Sequence, residues 1–148
     1  MDYLTSAALV LLALVLGGMT FFSFVMAPLV FVKLPIDVAG RFIRQVFPVY
    51  YLVMGLAASM AFPLLLREYP GKAMVLAAVV CAFAYARQVL MPRINQLRDL
   101  ELEGDKTAGR DFAKLHRASV IINGVQLLTV FAVFISLALL LPRCGATP

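Results

Sequence analysis

The sequence predicts an all-α integral membrane four-helix bundle, with a short cytoplasmic helical hairpin extending spans three and four. Three observations carry that expectation. Hydrophobic residues make up 63% of the 148 and charged residues 14%, against about 45–50% and about 25% in soluble domains. A soluble domain this small must cover much of its surface with polar groups, and so few could not do it. Four apolar runs each hold enough residues to cross a bilayer, which takes roughly 20 at 1.5 Å per residue. The lysines and arginines then fall unevenly on the two sides that four crossings define. Length alone gives a single membrane domain, residues 1–148.

The first run has no charge between Asp2 and Lys33. A secretory leader would have a basic start and a shorter apolar stretch; here the start is acidic and the run long. A retained span over 4–27 is expected, with Pro28 turning or kinking its exit. The second run lies between Arg44 and Arg67 and gives a span over 48–66. Pro48 suits a first helical turn, where its missing N–H has no partner to lose. Tyr50 and Tyr51 suit an interface where the ring is buried and the hydroxyl stays wet. Pro63 is expected to kink the last turns, and residues 67–72, with Pro70-Gly71, read as a compact turn.

The third run, 73–91, contains one charge, Arg87, placed where its side chain could snorkel to the headgroups. Pro92 closes it. The fourth, 118–141, is free of charge and ends at Pro142-Arg143. Between them lies the hydrophilic hairpin 93–117. Ile94 and Leu97 share a face with Glu101; Ala108, Phe112, Leu115 and Ser119 form a second face at helical spacing. Glu103-Gly104-Asp105-Lys106-Thr107 supplies the break, with Asp105 or Thr107 as N-cap. The first arm carries Asp99, Glu101 and Glu103, the second Lys106, Arg110 and Lys114, which suits pairing between arms at about 0–1 kcal/mol per exposed pair.

Topology follows from the basic residues. Arg67, Lys72 and Arg143 fall on one side, and Lys33, Arg41, Arg44, Arg93, Arg98, Lys106, Arg110, Lys114 and Arg117 on the other. Positive residues stay inside, so both termini are expected on the non-cytoplasmic side of a bacterial-type inner membrane. The net charge of +5 is therefore an orientation signal. No basic stripe interleaved with aromatics points to nucleic acid.

One polar face stands out in span four: His116, Ser119, Asn123 and Gln126, at spacings of three, four and three. Polar groups on one stripe of a transmembrane helix usually face other helices. With Arg87 and Gln88 of span three they make a candidate polar pocket at the cytoplasmic end, His116 being its titratable member. The bland alternative is hydrogen bonding between helices, worth about 0.6–2 kcal/mol per contact. Gly17 and Gly18, with Ala13, Thr20 and Ser23, make a small-residue stripe that permits close helix approach inside the bundle or against another subunit.

Other chemistry finds little support. A b-type haem would want two axial ligands from facing helices, and His116 with a methionine (Met19, Met26, Met54, Met60, Met74 or Met91) is the one conceivable pair. No cofactor is predicted. No MxxxM pair lines a helix face as a copper relay would, so the methionines read as gap-fillers. Cys81 reads as a small core residue, and Cys81 and Cys144 are too far apart along the fold for a disulfide; no Cys/His cluster has metal-ligand spacing. Nucleophiles paired with a base, carboxylates within the spans and phosphate-binding glycine loops are missing from the sequence.

The ordered segments Phe21-Phe22-Ser23-Phe24-Val25-Met26-Ala27-Pro28, Arg41-Phe42-Ile43-Arg44-Gln45-Val46-Phe47-Pro48-Val49-Tyr50-Tyr51, Met91-Pro92-Arg93-Ile94 and Phe112-Ala113-Lys114-Leu115-His116-Arg117-Ala118-Ser119, then Asn123, run nearly the length of the chain. In order and spacing they resemble the transmembrane-protein-205-like family of small four-helix membrane proteins. The resemblance implies a membrane bundle whose characteristic positions would be Pro28, Pro48, Pro92, His116, Ser119 and Asn123. It brings no settled reaction, though it raises a metal- or small-molecule-handling role slightly. Three roles are carried forward: an accessory or scaffolding subunit packing against a larger membrane complex, a small-solute or metal-handling protein using the span-four polar face, and a haem-binding redox protein.

Overall fold

The computed structural model describes residues 3–140 and is all-helical among them. Four helices, each 31–33 residues long, are apolar enough to cross a membrane: α1 Tyr3–Lys33, α2 Ile36–Leu66, α3 Pro70–Leu102 and α4 Lys106–Ala138. Links of only two or three residues, 34–35, 67–69 and 103–105, force each helix antiparallel to the next. The helices pack in a ring, α1 beside α2, α2 beside α3, α3 beside α4 and α4 back beside α1.

The core seam explains the near-parallel packing. In α1 the buried residues Thr5, Ala8, Leu12, Val15, Met19 and Phe22 recur at alternating three- and four-residue steps. α4 repeats the pattern with Gln126, Val130, Val133 and Leu137. A 3.5-residue average keeps one stripe facing its neighbours along a shallow left-handed crossing. Outside this seam Val10, Leu14, Phe24, Leu56, Met60 and Leu128 are all exposed. A water-soluble monomer rarely exposes an apolar surface so extensive; lipid tolerates it.

The prolines do not end the helices. Pro28, expected to turn the first span's exit, lies within a helix that continues to Lys33. Pro92, expected to close the third, is followed by helix as far as Leu102. Pro48 and Pro63 both lie inside α2, which begins at Ile36 rather than at Pro48. The device that spares Pro28 and Pro92 is the same in both helices. A five-residue π turn, Phe22–Met26 or Ala86–Leu90, ends two residues before each proline. Widening the coil relieves the clash between a proline ring and the preceding turn. A π turn also absorbs one extra residue. After Phe22 the next buried residue is Val30, eight positions on rather than seven, and in α3 the seam steps from Leu90 to Met91.

Unbroken helices change the outline of the molecule. Helices of 31–33 residues are about 46–50 Å long against about 30 Å of hydrocarbon. The excess lies where the charges are, at the end bearing the 34–35 and 103–105 links. So α1 and α2 extend toward the same end as the hairpin 93–117 that was expected to extend spans three and four. Asp105 caps α4, its Oδ1 accepting from the Thr107 and Ala108 amides at 2.8 and 3.1 Å. The expected pairing between hairpin arms is replaced: Arg98 bonds Glu101 and Lys114 bonds Asp111 within their own arms, while Asp99 pairs with Arg44 of α2 at 2.7 Å. Arg44 is at hand because α2 extends this far. Cys81, expected in the core, is exposed on the outer face of α3. Cys144 and Arg143 lie outside the described residues.

Candidate functional site: a polar layer inside the bundle

Phe22 lies against Phe47 and Tyr50, with ring centroids 5.1 and 4.5 Å apart, which sets the π turn of α1 level with Pro48. The π turn of α3 meets the same level, because the Arg87 Nε donates to the Pro48 carbonyl at 3.1 Å. Two widened turns and an internal proline therefore share one layer of the bundle, toward its charged end. Each interrupts the regular backbone ladder, and π turns often accompany functional sites.

Side chains from α1, α2 and α4 converge there. The Tyr50 hydroxyl donates to Asn123 Oδ1 at 3.4 Å, and Asn123 Nδ2 donates to Ser23 Oγ at 3.3 Å. Tyr50 is buried, with Tyr51 beside it at 5.2 Å and Phe83 of α3 beyond. Neither tyrosine has the wet interfacial place expected of it. With the ring packed among aromatic neighbours, the Tyr50 hydroxyl finds its partner in the Asn123 amide opposite. At 3.4 and 3.3 Å these bonds are longer than the usual ranges for O–H···O and N–H···O and are correspondingly weak.

Gln126 lies one turn deeper and is 4% exposed. Its Nε2 donates to the Val79 carbonyl of α3 at 3.3 Å, while Oε1 has no partner among the described residues. The face read from the sequence thus splits. Asn123 and Gln126 point into the bundle, Ser119 is half-buried and bonds the carbonyl of His116 in its own helix at 2.7 Å, and His116 is exposed. The imidazole stacks on Phe112 at 5.8 Å, and Arg98 covers that ring in turn at 5.4 Å. A straight helix with residues three and four apart drifts around its axis, so a stripe that starts outside can end inside. Gln88 is also exposed. Arg87, expected to snorkel, is held half-buried by the Pro48 carbonyl. Among the described residues no three His, Cys, Asp or Glu side chains are grouped to hold a metal ion.

The small-residue stripe of α1 divides in the same way. Gly18 faces inward, where a Cβ would fall 2.7 Å from Met54 Cε, and Ser23 turns inward to Asn123. Gly17 and Thr20 face outward with Ala13, and a Cβ on Gly17 would meet nothing within 4 Å.

Tyr50 and the Pro48 carbonyl belong to this layer, whereas the sequence placed Tyr50 at an interface and Pro48 in a first helical turn; the Arg44–Asp99 pair lies beyond the layer, toward the charged end. The usable signal lay in the register of the α1–α2 hairpin. Antiparallel folding about 34–35 brings the Ser23 region back opposite Pro48 and Tyr50. A family model described as a domain of unknown function, DUF4149, matches residues 10–102. That range takes in Ser23, Pro28, Pro48, Tyr50, Arg87 and Pro92 and stops before α4. No curated protein and no solved structure matches the chain.

Proposed function

Since this chain belongs to the DUF4149 family, whose function is unknown, we propose its role from its own geometry: a non-enzymatic helical subunit that packs against a larger membrane assembly. The ordered motifs around Pro28, Pro48, Pro92 and His116 support placing it with the transmembrane-protein-205-like proteins. The distribution of lysine and arginine supports a bacterial-type inner membrane with the 103–105 link in the cytoplasm.

The observation that carries the subunit reading is the outward face of α1. Ala13, Gly17 and Thr20 form a shallow notch there, flanked by exposed Val10, Leu14, Phe21 and Phe24. Close approach of backbones drives helix association in lipid, where apolar burial no longer helps. Inside the bundle, by contrast, Asn123, Tyr50 and Ser23 are occupied with one another. Purification from native membranes in mild detergent should recover a stoichiometric partner, and Gly17→Leu with Thr20→Leu should lose it while leaving the helical content intact. Wild-type protein running alone as a monomer would refute the reading.

The unpartnered Oε1 of Gln126 favours a second reading, that of a small-solute or metal-handling protein. It predicts that Gln126→Leu or Asn123→Leu alters solute uptake or metal tolerance at unchanged protein level. Unaltered phenotypes in both variants would remove it.

A further inference from the structure

α1 carries no charge from Tyr3 to Val32, a length of about 45 Å. α2 is free of charge only from Gln45, and α4 only from Ala118. The difference falls at the end that bears the 34–35 link. Phe22 packs on Phe47 and Tyr50, and the chain turns at 34–35. Counting outward from that contact sets Leu29 and Val32 level with the start of α2, where Asp37 and Arg41 form an exposed ion pair. Both apolar residues are nevertheless exposed, Val32 by 76%. To bring this stretch within about 30 Å of hydrocarbon, α1 would have to lean by more than about 45°, beyond the range of about 0–40° that membrane helices adopt.

One apolar face runs the length of this helix. Val10, Leu14, Phe21, Phe24, Leu29 and Val32 are each about half to three-quarters exposed. Phe21 to Leu29 and Phe24 to Val32 are eight-residue steps, as Phe22 to Val30 is in the core. The π turn therefore keeps the outer face in line with itself. An unbroken α-helix would swing Leu29 and Val32 aside by about a quarter turn. With on the order of 100 Å² exposed on each of these side chains, two such faces would bury about 1,200 Å², enough for a specific interface.

We infer that this face packs against the same face of a second copy of this chain, the two α1 helices parallel about a twofold axis along the bundle. A covering partner must be apolar and uncharged over the same length of about 45 Å, level with the headgroups as well as within the hydrocarbon. A second copy meets that condition, because the axis sets each residue of one α1 at the height of the same residue in the other. A helix cut to the hydrocarbon's thickness would leave Leu29 and Val32 uncovered. The inference rests on the subunit reading and names the first partner of its α1 face.

The test uses membranes holding the full chain in a Cys81→Ser, Cys144→Ser background. Leu14→Cys, Phe21→Cys and Val32→Cys are each oxidised with copper phenanthroline, with Met74→Cys and Leu128→Cys on the exposed faces of α3 and α4 as controls. The α1 cysteines should give a band of twice the chain's mass, and the controls should not. No such band from any α1 position, or equal bands from the controls, overturns the inference. Independently of any new cysteine, two differently tagged copies made together should be recovered together in mild detergent. Leu29→Asp with Val32→Asp, which sets like charges across the axis, should lower that recovery about tenfold or more; an undiminished recovery overturns the α1 face. Recovery of a different protein without the second copy overturns the inference and leaves the subunit reading standing. A lone monomer removes both.

Discussion

Asn123 is the residue on which most of the interior polar bonding turns, since its amide accepts from Tyr50 and donates to Ser23. Both bonds are long, so their worth lies toward the low end of interhelical hydrogen bonds, about 0.6 kcal/mol each. A double-mutant cycle of Asn123→Ala and Ser23→Ala, read by unfolding in mixed micelles, should give a coupling of about that size. A coupling indistinguishable from zero would show that the contact contributes nothing to the fold. Gly18 presents a sharper case. A Cβ there falls 2.7 Å from the end of the flexible Met54 side chain, so alanine is accommodated by a small shift of Met54. Leucine is too large for that, and Gly18→Leu should cost about 1–3 kcal/mol, partly restored by Met54→Ala. Gly17→Leu, pointing into open space, should change monomer stability by less than about 0.5 kcal/mol. Equal costs at the two glycines would mean that the inward and outward faces of α1 are misassigned.

At the scale of the helix, prolines and caps behave by different rules. Pro28 and Pro92 would break an ordinary helix, yet each follows a π turn that gives its ring room and moves the seam on by one residue. Charge spacing and hydropathy register none of this, because a π turn has no composition of its own. The α4 N-terminus, by contrast, was readable: an aspartate after a glycine, just ahead of a helical pattern, is a strong start signal, and Asp105 does accept from the Thr107 and Ala108 amides. Asp105→Ala should destabilise the hairpin by about 1 kcal/mol, visible as faster amide exchange over residues 106–109, with Asp105→Asn nearly neutral. Unchanged exchange in the alanine variant would mean that neighbouring packing, not the cap, holds this end.

For the whole molecule the governing fact is an exterior as apolar as the interior it surrounds. The nine basic residues at the hairpin end, against Arg67, Lys72 and Arg143 assigned to the other side and Arg87 within the third span, predict its direction in the bilayer. In a Cys81→Ser, Cys144→Ser background, Thr107→Cys should react with a membrane-impermeant maleimide only after the cytoplasmic face is opened. Glu68→Cys should react in intact cells. The reverse pattern would keep the bundle and overturn its direction.

Four helices long and apolar enough to cross a membrane, the hairpin and its cap were legible from residue order alone, because hydrophobic length, charge and capping act locally along the chain. Which side of each helix turns inward was not. His116, Ser119, Asn123 and Gln126 share a stripe in the sequence, but packing against α1, α2 and α3 turns the last two inward, Gln126 buried and Asn123 half-buried, and leaves His116 outside. Ser23 and Tyr50 entered the polar layer for the same reason. A hydrogen bond between helices depends on the height and rotation of both partners, and those are set only when the helices pack.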